Sequence, residues 1–118
     1  MNTSRYERDE DMKKFELVKD FALDWEGRKL YRIIACKNFR TRLGEVKIGD
    51  TGGWVESEEN LSQDGNAWIY RDAAVYGGAS VHDNAVVGGE VNVCGNIELH
   101  GETFIHGDDD IRVCGDSK

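Results

Sequence analysis

The sequence predicts an all-β chain built around a short parallel solenoid, with a separate β cap at its N-terminal side. Three observations predict it. Aliphatic residues recur at every sixth position without a slip: Ile69, Val75, Val81, Val87, Val93, Leu99, Ile105 and Ile111. A second series sits four positions after the aliphatics and is mostly small: Ala67, Ala73, Ala79, Ala85, Val91, Ile97 and Thr103. Turn pairs separate the two series: Gly77-Gly78, Asp83-Asn84, Gly89-Glu90, Gly95-Asn96, Gly101-Glu102 and Gly107-Asp108. A period of six fits neither a helix at 3.6 nor a hairpin ladder. It fits a short strand and a corner, repeated around a solenoid.

The chain order supplies the remaining elements. Residues 1–12 are highly charged, which predicts a frayed or disordered tail. Residues 13–53 read as the cap and a linker. Phe15 to Val18 is a strand candidate. Phe21 to Trp25, then Glu26-Gly27, then Leu30 to Ala35 reads as a hairpin with a glycine turn. Lys37 to Lys47 reads as a loop or strand, and Gly49 to Gly53 as a flexible lead into the first coil. Residues 54–118 are the repeat. Val55 and Leu61 extend the aliphatic series backward, with a two-residue insertion at Asp64-Gly65.

Composition excludes several function classes. The chain has 118 residues and a net charge of −8, with 39% hydrophobic and 32% charged residues. That is one domain, too apolar for a wholly disordered chain. No apolar run reaches the ~18 residues of a membrane span. Met1 to Glu10 has no apolar stretch of signal-peptide type, and Cys36, Cys94 and Cys114 have no metal-ligand spacing. The expectation is a cytoplasmic chain with reduced thiols. Charge is uneven. Residues 1–50 hold 12 Lys+Arg and 10 Asp+Glu, or +2; residues 51–118 hold 3 and 13, or −10. An acidic repeat repels phosphate backbones, so it argues against direct nucleic-acid binding and suits a partner with a basic surface.

The six-residue period resembles the hexapeptide-repeat family, which forms left-handed parallel β-helices. The resemblance covers Val55 to about Val113. It implies a short left-handed parallel β-helix of about three coils, 18 residues to a coil, and handedness comes from the resemblance alone. The segment Gly49 to Gln63, reading GDTGGWVESEENLSQ, with Asn66-Ala67-Trp68, is similar to a group of uncharacterised hexapeptide-repeat proteins of bacteria, phages and prophages. Some members of that group carry acetyltransferase labels.

Eighteen residues per coil places residue n beside n+18, so outward side chains form columns. One face carries Trp68, Val86 and Phe104, with Tyr70 beside them. An outward apolar column is not left wet. Either the N-terminal segment or another chain covers it, and the expectation is a homodimer or homotrimer. A second face carries Ala74, Asn92 and Asp110 beside Tyr76, Cys94 and Arg112. The third carries His82 and His100, with Ser80 and Glu98 beside them. The stacked imidazoles with Glu98 are the candidate catalytic group, since acyltransferases of the resembled family use a histidine as general base between subunits. The bland alternative is a pair of exposed polar residues. Asp108, Asp109 and Asp110 splay to different sides, which suits a charged partner surface better than a calcium site. No metal and no cofactor is expected.

Two function classes follow. The first is a non-catalytic protein-binding module of phage or prophage type. It would act through its acidic surface, with nucleic-acid mimicry against a host defence complex as its sharpest form. Trp68, Val86, Phe104, Tyr70 and Asp108 to Asp110 are its candidate contacts. The alternative is an acyl-CoA-dependent acyltransferase. Such enzymes usually add a projecting loop, a longer stack and often a C-terminal helix, whereas this repeat has a single two-residue insertion. The register itself is testable. Val87→Asp buries an unpaired charge, which costs several kcal/mol against a total stability of about 5–15 kcal/mol. The variant is expected to be unfolded in a thermal melt followed by circular dichroism. A melting temperature equal to the wild type would place Val87 on the outside.

Overall fold

The computed structural model describes residues 13–115; the charged segment 1–12, expected to be frayed, lies outside them. Among the described residues, eleven strands make up nearly all of the regular structure, with one 3-10 turn at Glu58–Asn60. They are β1 (Phe15–Trp25), β2 (Arg28–Ala35), β3 (Phe39–Thr41), β4 (Gly44–Val46), β5 (Thr51–Val55), β6 (Trp68–Ile69), β7 (Ala74–Val75), β8 (Ser80–Val81), β9 (Val86–Cys94), β10 (Glu98–Leu99) and β11 (Phe104–Cys114).

From β5 onward the chain winds as a β-solenoid of about three turns with three parallel faces. On one face β5, β7, the end of β9 and the end of β11 pair in parallel. On the second, β6, the start of β9 and the start of β11 pair in parallel. On the third, Leu61 bridges Val81, and β8 pairs with β10. The predicted inward residues line the bore. Val55, Leu61, Ile69, Val75, Val81, Val87 and Val93 are fully buried, as is the small-residue series from Ala67 to Val91. The turns carry the positive φ expected of them. Gly77, Gly89, Gly95 and Gly101 all lie in the left-handed region, and Asp83 joins them at φ 62°.

The register departs from 18 at two places. Val55 pairs with Val75, Val75 with Val93 and Val93 with Val113, steps of 20, 18 and 20 residues. The first extra pair is the Asp64-Gly65 insertion. The second was not foreseen. Gly107 pairs with Gly89 but Ile111 pairs with Val91, so β11 carries two extra residues at its corner. This corrects the last hexad. Val113, not Ile111, stacks on Val93. Arg112 lies beside Asn92 instead of Cys94, and Cys114 takes the place beside Cys94. Cys94 and Cys114 form a disulfide, which corrects the expectation of three reduced thiols; Cys36 is free.

The N-terminal part is also more ordered than expected. Phe15 to Val18 and Phe21 to Trp25 belong to one strand, with a register shift between Val18 and Ala22. Positive φ at Glu26 (52°) and Gly27 (83°) turns β1 into β2. β2 then pairs antiparallel with β5, so the hairpin continues the first solenoid face and covers its opening edge. β5 itself replaces the expected flexible lead. A Cβ on Gly52 would sit 2.7 Å from Ile33 and from the Ile69 carbonyl oxygen, so this glycine permits close packing of β2 on the coil. Residues 37–47 form the short β3–β4 hairpin.

Side chains fasten the cap to the first coil. Phe15 is buried with the bore residues. Gln63 Oε1 accepts from the Lys14 and Phe15 amides at 2.7 and 3.2 Å, and Nε2 donates to the Phe15 carbonyl at 3.1 Å. Ser57 caps the 3-10 turn, and Asn60 points inward. Asn60 Oδ1 accepts from the Glu56 and Ser57 amides, and Nδ2 donates to the Gly77 and Ala79 carbonyls at 3.2 and 2.7 Å. All four bonds are needed because the side chain is buried.

Lys14 is fully buried, and its Nζ donates to the Ala67 carbonyl at 2.7 Å and the Gly65 carbonyl at 3.4 Å. Burial, reinforced by Lys37 and opposed by Asp64, lowers its pKa from 10.5 to about 7. The folded chain therefore releases this proton before the unfolded chain does. The burial penalty is constant below about pH 7 and is relieved as pH rises toward 10.5. Stability should rise over that window by up to about 1.4 kcal/mol per pH unit from this group. Urea unfolding at pH 7, 8 and 9 is expected to show a steeper rise in the wild type than in Lys14→Met. Equal slopes in the two proteins would refute a charged-to-neutral Lys14.

Candidate functional site

The third solenoid face gathers the candidate catalytic residues. β8 and β10 run parallel with Ser80 beside Glu98 and Val81 beside Leu99. The next residue on each strand is a histidine. The His82 amide donates to the Leu99 carbonyl at 2.9 Å, which holds the two coils in register at this point. The imidazoles of His82 and His100 stack with centroids 5.5 Å apart and planes 21° apart. His82 is flanked on both edges. Its Nδ1 lies 3.7 Å from Asp83 Oδ1, and its Nε2 lies 3.8 Å from Glu98 Oε1. These are electrostatic contacts beyond hydrogen-bond range.

Asp83, read in the sequence as a turn residue and not as part of the site, stands where neighbouring coils place glycine. Its Oδ2 accepts from the Gly101 amide at 2.8 Å, and Gly101 opens the equivalent turn one coil later. That bond, aided by the two histidines and opposed by slight desolvation, holds the Asp83 carboxyl below its ordinary value. The anionic side chain is thus fixed beside the His82 ring. Among the described residues no group of three or more His, Cys, Asp and Glu is arranged to hold a metal.

The apolar column has a different fate. Trp68 and Val86 are buried, and the β3–β4 hairpin packs on Trp68. Phe39 packs its ring edge on Trp68 with centroids 5.3 Å apart. The Tyr70 hydroxyl bonds Thr41 Oγ1 at 2.6 Å. So the chain's own cap occupies most of the surface expected to meet a partner. Trp68, Val86 and Tyr70 serve that packing. Phe104 alone of the column stays 40% exposed, with the Arg42 guanidinium 5.2 Å from its ring centre. The side chains of Asp108, Asp109 and Asp110 lie outside the described residues.

Tyr76 points outward as expected but is covered by the β1–β2 hairpin. Trp25 Nε1 donates to its hydroxyl at 3.1 Å, and Arg28 lies 5.3 Å from its ring centre. Beside this contact a cleft of about 260 Å³ opens between Trp25, Trp54, Arg32, Arg71, Asp72 and Glu90. Arg32 stacks 4.2 Å from the Trp54 ring centre and donates to the Gly52 and Arg71 carbonyls at 2.9 and 2.5 Å. Nothing in the six-residue pattern marks this cleft, because the hairpin supplies one of its walls.

No family model matches the chain. A curated relative does: the protein called uncharacterized acetyltransferase YdcK of Escherichia coli (strain K12). The two are 35% identical over 71 residues, covering 54% of this chain and 21% of the relative. The chain therefore spans about a fifth of the length of the curated relative it matches. The phage and prophage likeness of the Gly49 to Gln63 segment receives no support from this comparison.

Proposed function

We propose that the chain is a β-solenoid module of acyltransferase type, with its chemistry on the His82–His100 face. The similarity to a protein named as an acetyltransferase carries the reading. The exposed stack of two imidazoles, flanked by Asp83 and Glu98, supplies a base of the required kind. In this reading His82 takes the proton from an acceptor amine or hydroxyl as that group attacks the thioester carbonyl of an acyl-CoA. The thioester C–S bond then breaks, and His82 returns the proton to the sulfur, so CoA leaves as the thiol. Asp83 and Glu98 orient the ring and face the charge it gains. A face this open does not exclude water by itself, so a second copy of the chain completes the site. That requires the homodimer or homotrimer anticipated from the sequence.

One observation favours a second reading. The repeat half has a net charge of −10, which suits a protein-binding module that meets a basic surface. Its sharper form, an inhibitor of a host defence complex, has only the motif resemblance behind it. Calorimetric titration of the purified oligomer with acetyl-CoA separates the two readings. The acyltransferase reading expects micromolar binding, and thiol release with a panel of amine and hydroxyl acceptors. In His82→Ala the rate should fall by about 10²–10⁴-fold while binding persists. A folded oligomer that binds no acetyl-CoA at millimolar concentration would overturn it and leave the binding module.

A further inference from the structure

The disulfide opens onto a groove that the proposed acyl-transfer face does not use. Cys94 ends its pairing on β9 directly beside Cys114 on β11, with Cα atoms 4.5 Å apart. Cys94 is half-buried and Cys114 is exposed. Both line a groove of about 420 Å³ together with Glu26, Arg28, Tyr76 and Arg112. Its other lining residues, Gly77, Gly78, Gly95, Asn96 and Gly115, carry no charge. Each arginine at the groove faces a carboxylate, so the lining carries no net charge. Arg112 Nη2 bonds Glu26 Oε2 at 2.6 Å, which sets the far wall. Arg28 Nη1 bonds Glu56 Oε1 at 2.7 Å.

We propose that Cys94–Cys114 is a thiol-exchange site and that a small thiol is captured on Cys114 as a mixed disulfide. The groove gives the thiol's body room beside the exposed Cys114 sulfur. The incoming thiolate attacks Cys114 Sγ, the more exposed sulfur. The S–S bond breaks, and Cys94 leaves as a thiolate that takes a proton from water. A second thiol attacks the bound thiol's sulfur. It releases the small-molecule disulfide and leaves both cysteines reduced. Two thiols are oxidised to one disulfide as the protein disulfide is reduced, and the oxidised small molecule drives the reverse. Cys36 takes no part. Its thiol is half-buried on another part of the fold, and burial, with Glu16 beside it and Lys13 opposing, raises its pKa.

The chain's last strand responds to this exchange. The end of β11 follows the two-residue corner, and Val113 is only partly buried. The Arg112–Glu26 ion pair is solvent-exposed and of the weakly stabilising kind. The disulfide closes a 20-residue separation. Opening it should raise the unpaired fraction of residues 111–115 by on the order of a hundredfold.

The test uses the full chain and its Cys94→Ser variant, which cannot expel a thiol bound to Cys114. Each is incubated with the oxidised forms of glutathione, CoA and cysteamine, then digested and weighed. The proposal expects adducts of all three thiols on the Cys114 peptide of Cys94→Ser, formed at least about tenfold faster than on the Cys36 peptide. It also expects reduced glutathione to open the wild-type disulfide in the folded state, with faster hydrogen exchange in residues 111–115 and unchanged exchange in 86–93. Should the variant fail to fold, the wild-type exchange measurement decides alone. Adducts chiefly on Cys36, or reduction only in denaturing urea, would each overturn the proposal.

Discussion

Coil-on-coil register is the constraint on which this molecule depends. In a parallel solenoid every inward side chain must sit beside the inward side chain of the next coil. The backbone bonds of one coil are completed only by its neighbours. Val55, Val75, Val93 and Val113 obey this on one face, and Ile69, Val87 and Ile105 on another. A one-residue slip would turn the aliphatics outward. Extra residues are therefore absorbed at corners, in pairs. The Asp64-Gly65 insertion and the two-residue corner before Ile111 both restore the inward–outward alternation they interrupt.

A solenoid this short has large open ends, and the N-terminal chain deals with one of them. β2 continues the first face in antiparallel pairing, and Lys14, Phe15 and Gln63 fasten the opening of the bore. The β3–β4 hairpin covers the aromatic column with Phe39 and Thr41. Both coverings consume surface that would otherwise be adhesive. Among the described residues no strand of the cap pairs with the third face. The histidines lie there.

Much of the solenoid was legible because its physics is periodic. Six-residue spacing named the inward residues from Val55 to Leu99, and glycine or aspartate at each turn named the corners. The same spacing failed after Gly107, where the register became 20 and Cys114 displaced Arg112 beside Cys94. Nothing local marks that corner, because the aspartate run 108–110 reads equally well as strand or turn. The cap was harder still. Its pairing with β5 and its covering of Trp68 are long-range packing, which a propensity reading cannot place. In the candidate site, His82, His100 and Glu98 came from the 18-residue column. Asp83 was read only as a turn residue, although an aspartate in a glycine slot beside His82 was a readable signal.

The identity of the last coil carries the account, since the bore, the columns and the cysteine pairing all follow from it. Methyl-labelled nuclear magnetic resonance of Val and Ile side chains tests it directly. Cross-coil Overhauser contacts are expected between Val93 and Val113 and between Val87 and Ile105. Contacts from Val93 to Ile111 in place of Val113 would restore an uninterrupted 18-residue register and contradict the structure described above.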